Sequence, residues 1–183
     1  RDQARIDKFM IDLDGTPNKQ RLGGNATVAT SMAVAHAAAQ HEGVPLWQFL
    51  RDQAGTQGDV TLPLPEIQIF GGGAHASGRV DVQDFMVIAT GAQSFCEALN
   101  WTAEVYRHAG LIMDEAGKLS GVADEGGFWP DFDTNEEAIE TLLRAIEAAG
   151  FKPGAEVAIS LDIAASEFGE NGSYRLAKDD DIE

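Results

Sequence analysis

A change of pattern around residues 51–61 limits most strongly what this chain can fold into. Before it the sequence carries a helix rich in small residues. Asn25 is the expected N-cap of a run to about Gln40, whose Ala and Met content favours helix, and Gly43 and Pro45 stop it. So many alanines point to close helix contact, not to a chemical site. Upstream, Arg1 to Arg21 is charged and contains Asp14-Gly15-Thr16-Pro17, a dense turn signal. Arg51 to Thr61 is polar and contains glycine, the composition of a connection between domains. After it the period shortens. Leu62 to Phe70 alternates apolar residues behind prolines, which predicts an edge or first strand, ended by Gly71-Gly72-Gly73. Val80 to Ala89 predicts a second strand, with Val80, Val82, Asp84 and Met86 on one side and Asp81, Gln83, Phe85 and Val87 on the other.

Two helices follow, each announced by a capping box: Ser94-Phe95-Cys96-Glu97 and Thr134-Asn135-Glu136-Glu137. The first carries Leu99, Val105, Tyr106 and Met113. The second places Ala138, Leu142, Ala145 and Ile146 on one stripe and ends at Gly150, with Pro153 beyond. Glu156 to Leu161 then reads as a buried parallel strand ending at Asp162. The predicted order is strand, strand, helix, helix, strand, an α/β arrangement. The closing run Asp179-Asp180-Asp181-Ile182-Glu183 reads as a solvated acidic loop.

Charge and cysteine content narrow the function classes. Thirteen Lys+Arg against thirty Asp+Glu give a formal net charge of −17. That argues against nucleic acid and anionic membrane as partners, since both attract a basic face. It suits a site loaded with a divalent cation, which offsets clustered carboxylates. Cys96 is the only cysteine, so no intrachain disulfide forms and a reducing, cytoplasmic setting is expected. The most apolar stretch, Met32 to Ala39, is far shorter than the roughly 20 residues of a membrane span. No signal peptide is visible behind Arg1, and the chain is expected to be soluble and a piece of something longer.

Three clusters carry chemistry, each at a strand end or in a glycine-rich loop, where a ligand can approach. Gly71-Gly72-Gly73-Ala74-His75-Ala76-Ser77-Gly78 is either a lid whose His75 reaches a substrate or a flexible hairpin with an exposed His. Residue types alone favour the hairpin. Asp124-Glu125-Gly126-Gly127-Phe128-Trp129-Pro130 joins the two helices. Held near apolar rings, Glu125 would have a raised pKa and serve as a proton donor; otherwise the segment is a turn with Trp129 packed down. Leu161-Asp162-Ile163-Ala164-Ala165-Ser166-Glu167-Phe168 puts Asp162 at the C-terminal end of a strand, the catalytic face of a parallel α/β barrel. There a hard oxygen donor suits Mg²⁺, although Asp also caps turns. His36, His41 and His108 fall in helical stretches and are given structural or surface roles.

These clusters, in this order, resemble the enolase family across essentially the whole chain. Arg1-Asp2-Gln3 with Ile6-Asp7, Leu13-Asp14-Gly15-Thr16-Pro17-Asn18-Lys19 and Leu22-Gly23-Gly24-Asn25-Ala26 look like the end of that family's N-terminal capping domain. The glycine loop with His75 looks like its mobile His loop. Gln83-Asp84-Phe85-Met86, Asp124-Glu125-Gly126-Gly127-Phe128 and the segment from Leu161 to Phe168 look like its barrel motifs. The resemblance implies a fold in which residues 1–54 end an α+β N-terminal domain and residues 62–183 open an enolase-type TIM barrel. It implies a lyase that reversibly dehydrates 2-phosphoglycerate to phosphoenolpyruvate with Mg²⁺, in the cytoplasm and as a homo-oligomer. By the same resemblance Glu125 is the proton donor, Asp162 a Mg²⁺ ligand, His75 a residue that closes over the substrate, and Gln83 and Asp84 residues that line its site.

The resemblance also implies parts that this segment does not supply. The family draws further carboxylate ligands, a base lysine and a phosphate-binding Arg from later strands, and a metal-contacting serine from an earlier loop. Lys8, Lys19, Lys118, Lys152 and Lys178 all fall away from strand ends. The stretch from Leu62 onward is about half of the roughly 250 residues of a barrel. Asp84 stands where the family usually has Glu, Gly71 for a usual Asn, Ala123 for a usual Gly and Trp129 for a usual small residue. A paralogue with an altered substrate or a non-catalytic binding role is the alternative to the lyase.

Overall fold

A computed structural model describes residues 2–176; Arg1, Lys178 and the acidic run Asp179 to Glu183 lie outside the described residues. The chain forms two compact units, Arg1–Val60 and Thr61–Glu183. The first is helical: α1 (Gln3–Asp14), α2 (Gly24–Glu42) and α3 (Leu46–Ala54). Asp2 caps α1 by accepting from the Arg5 amide, and Gly15 ends it in the left-handed conformation that glycine adopts without a Cβ clash. The Gln3 side-chain amide donates to Ser31 Oγ at 2.8 Å and so ties α1 to α2. Asn25 is not the N-cap of α2. The helix opens two residues earlier than that cap would set it, at Gly24 after Gly23 at φ 88°, and no side chain caps it. Pro45 ends the approach from α2 but also opens α3, a use of proline at a helix start. Residues 51–54, expected in a connection, therefore belong to α3, because Phe49 packs onto Ala35 and Ala39 and fixes this helix.

The second unit is built on a three-stranded sheet in the order β1 (Glu66–Gly71), β2 (Asp84–Ile88), β3 (Ala158–Asp162). Pro63 and Pro65 keep residues 62–65 out of the ladder, so β1 starts later than its apolar pattern. Both pairings are antiparallel. This corrects the expectation that the last strand is parallel and buried. Two helices, α4 (Phe95–Glu115) and α5 (Asn135–Ala148), join β2 to β3. The connection holds two helices rather than the single crossover helix of a parallel βαβ unit, and β3 lies antiparallel to β2. Strand β3 has one partner among the described residues, and Leu161 is exposed.

The capping boxes form with one change. Ser94 and Thr134 accept from the amides of Glu97 and Glu137, but those carboxylates reach back to the amides of Gln93 and Asp133, one residue before each cap. The predicted stripe on α5 is fully buried and packs, with Val105 and Met113 of α4, on Phe85 and Val87 of β2. Val80 and Val82 join the same core. Strict alternation from residue 80 would put them opposite Phe85, so the chain switches faces before β2 begins at Asp84. A two-stranded hairpin, β4 (Gly169–Glu170) with β5 (Ser173–Tyr174), closes the described chain. Among the described residues no helix is long and apolar enough to cross a membrane.

Candidate functional site

Strand directions bring the site together. Because β2 runs against β1 and β3, the C-terminal ends of β1 and β3 meet the start of β2. Gly71 pairs with Asp84, and Asp84 with Asp162. Two loops converge on this end of the sheet. The glycine loop is not open: Gly72 N donates to Gln83 O at 2.6 Å, Gly73 N to Val80 O at 3.0 Å, and residues Gly73–Ala76 form a single 3-10 turn. That turn presents His75 half-buried, neither a free hairpin tip nor a surface residue. Upstream of β2, Asn135 Oδ1 accepts from the Asp81 and Val82 amides at 2.9 and 3.3 Å, so the start of α5 holds the segment that delivers Gln83.

The second loop carries Glu125. Its exit is stitched to β1, with Phe128 N donating to Ile69 O at 2.9 Å and Gly71 N donating to Phe128 O at 3.1 Å. Beneath it, the Phe128 ring stacks on Tyr106 of α4 with centroids 4.2 Å apart, and the Tyr106 hydroxyl donates to Gly126 O at 2.8 Å. Burial pushes the Tyr106 hydroxyl pKa up, which keeps it a donor. Gly126, at φ 99°, supplies the positive φ of the turn. Of the two readings open for this segment, the one in which apolar rings enclose Glu125 is not the one formed. The two rings are occupied elsewhere, Phe128 on Tyr106 and Trp129 under the Arg79 guanidinium at 4.5 Å. The Glu125 side chain is 53% exposed.

The expected residues then form one connected chain of contacts. Glu125 Oε1 lies 3.9 Å from His75 Nε2. Glu125 Oε2 accepts from Gln68 Nε2 at 3.2 Å, and the same nitrogen donates to Asp84 Oδ1. Asp84, only 5% exposed, accepts through Oδ2 from Gln83 Nε2 at 3.4 Å. Gln83 Nε2 also donates to Asp162 Oδ2 at 3.3 Å. So His75, Gln83, Asp84, Glu125 and Asp162, spread over two loops and two strand ends, meet at one place. The residue that sequence reasoning missed is Gln68. Its signal was present: a polar amide between Ile67 and Ile69 in a strand must face away from the apolar neighbours, and it stands just before the glycine run. Of the histidines given structural or surface roles, His36 is exposed on α2, and His108 Nε2 lies 2.8 Å from Arg107 Nη2.

Three carboxylates held by neutral amides, with no Lys or Arg among the contacts just described, form an acceptor-rich site for cationic or proton-donating chemistry. Asp162 fits a hard cation in donor type and exposure, although its Oδ1 also accepts from the Ala164 amide at 3.0 Å, the turn-capping role considered for it. Among the described residues no group of three or more His, Cys, Asp or Glu is placed to hold a metal ion. Asp162 is thus a single prospective ligand here, not a metal centre.

Comparison with family models identifies both units of the chain. Residues 59–183 match the model described as enolase, C-terminal TIM barrel domain, and residues 1–50 match the enolase N-terminal domain. The sheet among the described residues is open and three-stranded, as the opening of such a barrel is. With two matched domains in the expected order, the chain belongs to the enolase family, a family of lyases.

Proposed function

We propose that this segment supplies part of the active site of an enzyme that dehydrates 2-phosphoglycerate to phosphoenolpyruvate. The observation that carries the reading is the contact chain from His75 through Glu125, Gln68, Asp84 and Gln83 to Asp162. In this reaction the carbon beside the substrate carboxylate loses a proton, and the neighbouring carbon loses its hydroxyl as water. Glu125 is the group that protonates the departing hydroxyl. It stands exposed at the end of the sheet, where a ligand can reach it, and its turn is braced by Tyr106 and Phe128. His75 closes over the substrate from the glycine loop, and Gln83 and Asp84 line the pocket floor. Asp162 would hold Mg²⁺, which supplies positive charge against the substrate carboxylate as the proton leaves. The base lysine and the other metal ligands belong to later parts of a longer chain. In this reading the protein is a cytoplasmic homo-oligomer that engages neither nucleic acid nor membrane.

The test is a steady-state assay of the full-length protein. Glu125→Gln should lower the dehydration rate by at least about 10²-fold, the scale of a lost acid catalyst. The fold should persist, because Glu125 is not part of the core. Turnover near that of the parent would remove Glu125 from the role. A second reading, a paralogue with an altered substrate, is favoured by one observation. Asp84 already has both carboxylate oxygens engaged by Gln68 and Gln83, so it has less capacity left for a substrate hydroxyl.

A further inference from the structure

Glu125 projects from a loop and is half exposed, yet proton transfer demands a defined position. From the geometry we infer that Gln68 is a positioning residue: it sets the place of Glu125 and couples it to Asp84. This inference rests on the reading of Glu125 as the proton donor.

The argument begins with the orientation of the Gln68 amide. Gly127 N donates to Gln68 Oε1 at 2.8 Å. A backbone amide can only donate, so the oxygen of Gln68 must face Gly127 and its NH₂ must face the other way. There its two hydrogens meet two acceptors, Glu125 Oε2 and Asp84 Oδ1. One side chain thereby bridges the Glu125 loop to the start of β2, and it does so without a charge.

The walls around this amide admit little else. A Cβ on Gly127 would lie 2.6 Å from Gln68 Oε1, and a Cβ on Gly71 would lie 2.9 Å from Gln68 Nε2. Both distances are below any ordinary contact, so the two glycines leave space that the amide fills. Side chains so confined lose little entropy on binding a partner and hold it accurately.

Two variants of the full-length protein test the role, with 2-phosphoglycerate as substrate. Gln68→Leu removes both donors. Gln68→Glu keeps the shape and an acceptor for Gly127 but faces Glu125 and Asp84 with a third carboxylate. Each should lower kcat by about 10- to 100-fold while KM stays within about 3-fold, because the lost interaction orders a reacting group rather than the bound substrate. A merely space-filling role would leave Gln68→Glu at parental kcat, and that result overturns the inference. Parental kcat in both variants overturns it as well, and a Glu125→Gln loss measured alongside would leave the proposed function standing. Should the parent not turn over 2-phosphoglycerate, the functional reading fails on its own. The bridge is then read by NMR in protein made with isotope-labelled glutamine. The Gln68 side-chain NH₂ signals should move in Glu125→Gln. Signals that stay in place overturn the bridge. The same spectrum decides the matter if Gln68→Leu does not fold, since Gln68 is intact in it.

Discussion

The helical unit and the sheet unit hold their shapes by different physics. In the helical unit the buried apolar cluster is Ala35, Ala39 and Phe49, while Phe9, Val28, Met32 and Trp47 are each more than half exposed. What gives this unit definite geometry is polar. Asp14, 1% exposed, takes the Thr16 amide at 3.0 Å, the Thr16 hydroxyl and the Leu22 amide at 2.6 Å. The sheet unit does the reverse: α4 and α5 bury one continuous apolar layer against β1 and β2, and its buried carboxylate, Asp84, stands at a strand end. The contrast shows where each unit is vulnerable. An apolar layer suffers from lost volume, a carboxylate hub from lost charge.

The largest effect that follows is in the sheet unit. Phe85→Ala should destabilise it by about 3–5 kcal/mol, the usual range for a buried aromatic cut to Ala. Phe85 is fully buried and meets Phe70 edge-on at 6.5 Å. Urea unfolding of the full-length protein followed by near-UV signal checks this. A loss below about 1 kcal/mol would mean that the layer collapses around the gap, and the contrast between the units would not stand.

A smaller effect sharpens how the core meets the site. A Cβ on Gly71 would lie 2.6 Å from Ala123 Cβ, so two of the positions that depart from the family pattern touch each other. Gly71→Ala alone should cost about 1–3 kcal/mol by overpacking. Combined with Ala123→Gly it should recover part of that, with a coupling of about 0.5–2 kcal/mol in a thermal double-mutant cycle. Strict additivity would show that the two residues were not sized to each other.

The same division governs what the sequence reveals. The stripe on α5 and both capping boxes were legible because they depend on residues three and four apart on one helix. The direction of β3 is not legible in its apolar run, because that run has the same composition whether the neighbouring strand lies parallel or antiparallel. α3 is hidden because Pro45 reads as a stop, while proline serves equally at a helix start. At the site, single residues in glycine-rich segments were visible one by one. Their contacts were not, since Gln68 meets Glu125 57 residues away and Gln83 meets Asp162 79 residues away. Nor was the environment of Glu125. Adjacent aromatics in sequence left an apolar pocket and a plain turn both open, and Tyr106 and Arg79, from other segments, claim the two rings.

The smallest predicted effect is the pH response of the helical unit. The Thr16 hydroxyl, followed by the Leu22 amide, holds the Asp14 carboxyl below its ordinary range, and burial opposes them without winning. A carboxylate whose folded pKa is depressed stabilises the fold fully above its unfolded pKa, near 4, and that contribution disappears as pH falls through the lower folded value. In the sheet unit burial pushes Glu137 up, but Lys118 at 2.5 Å and the Asp133 amide hold it below its usual range; that unit keeps its apolar layer when such pairs are lost. Acid should therefore reach the helical unit first. Amide exchange followed by NMR would show Leu22 and Thr16 losing protection below about pH 4 while Val87 and Leu142 keep theirs. Asp14→Asn makes the assignment specific. Its stability deficit against the parent should be largest near neutrality and shrink in acid, because the parent then loses the same charge. A deficit that stayed constant from neutral to acid pH would mean that the hub works through shape alone, and the contrast between a charge-held and a core-held unit would fail.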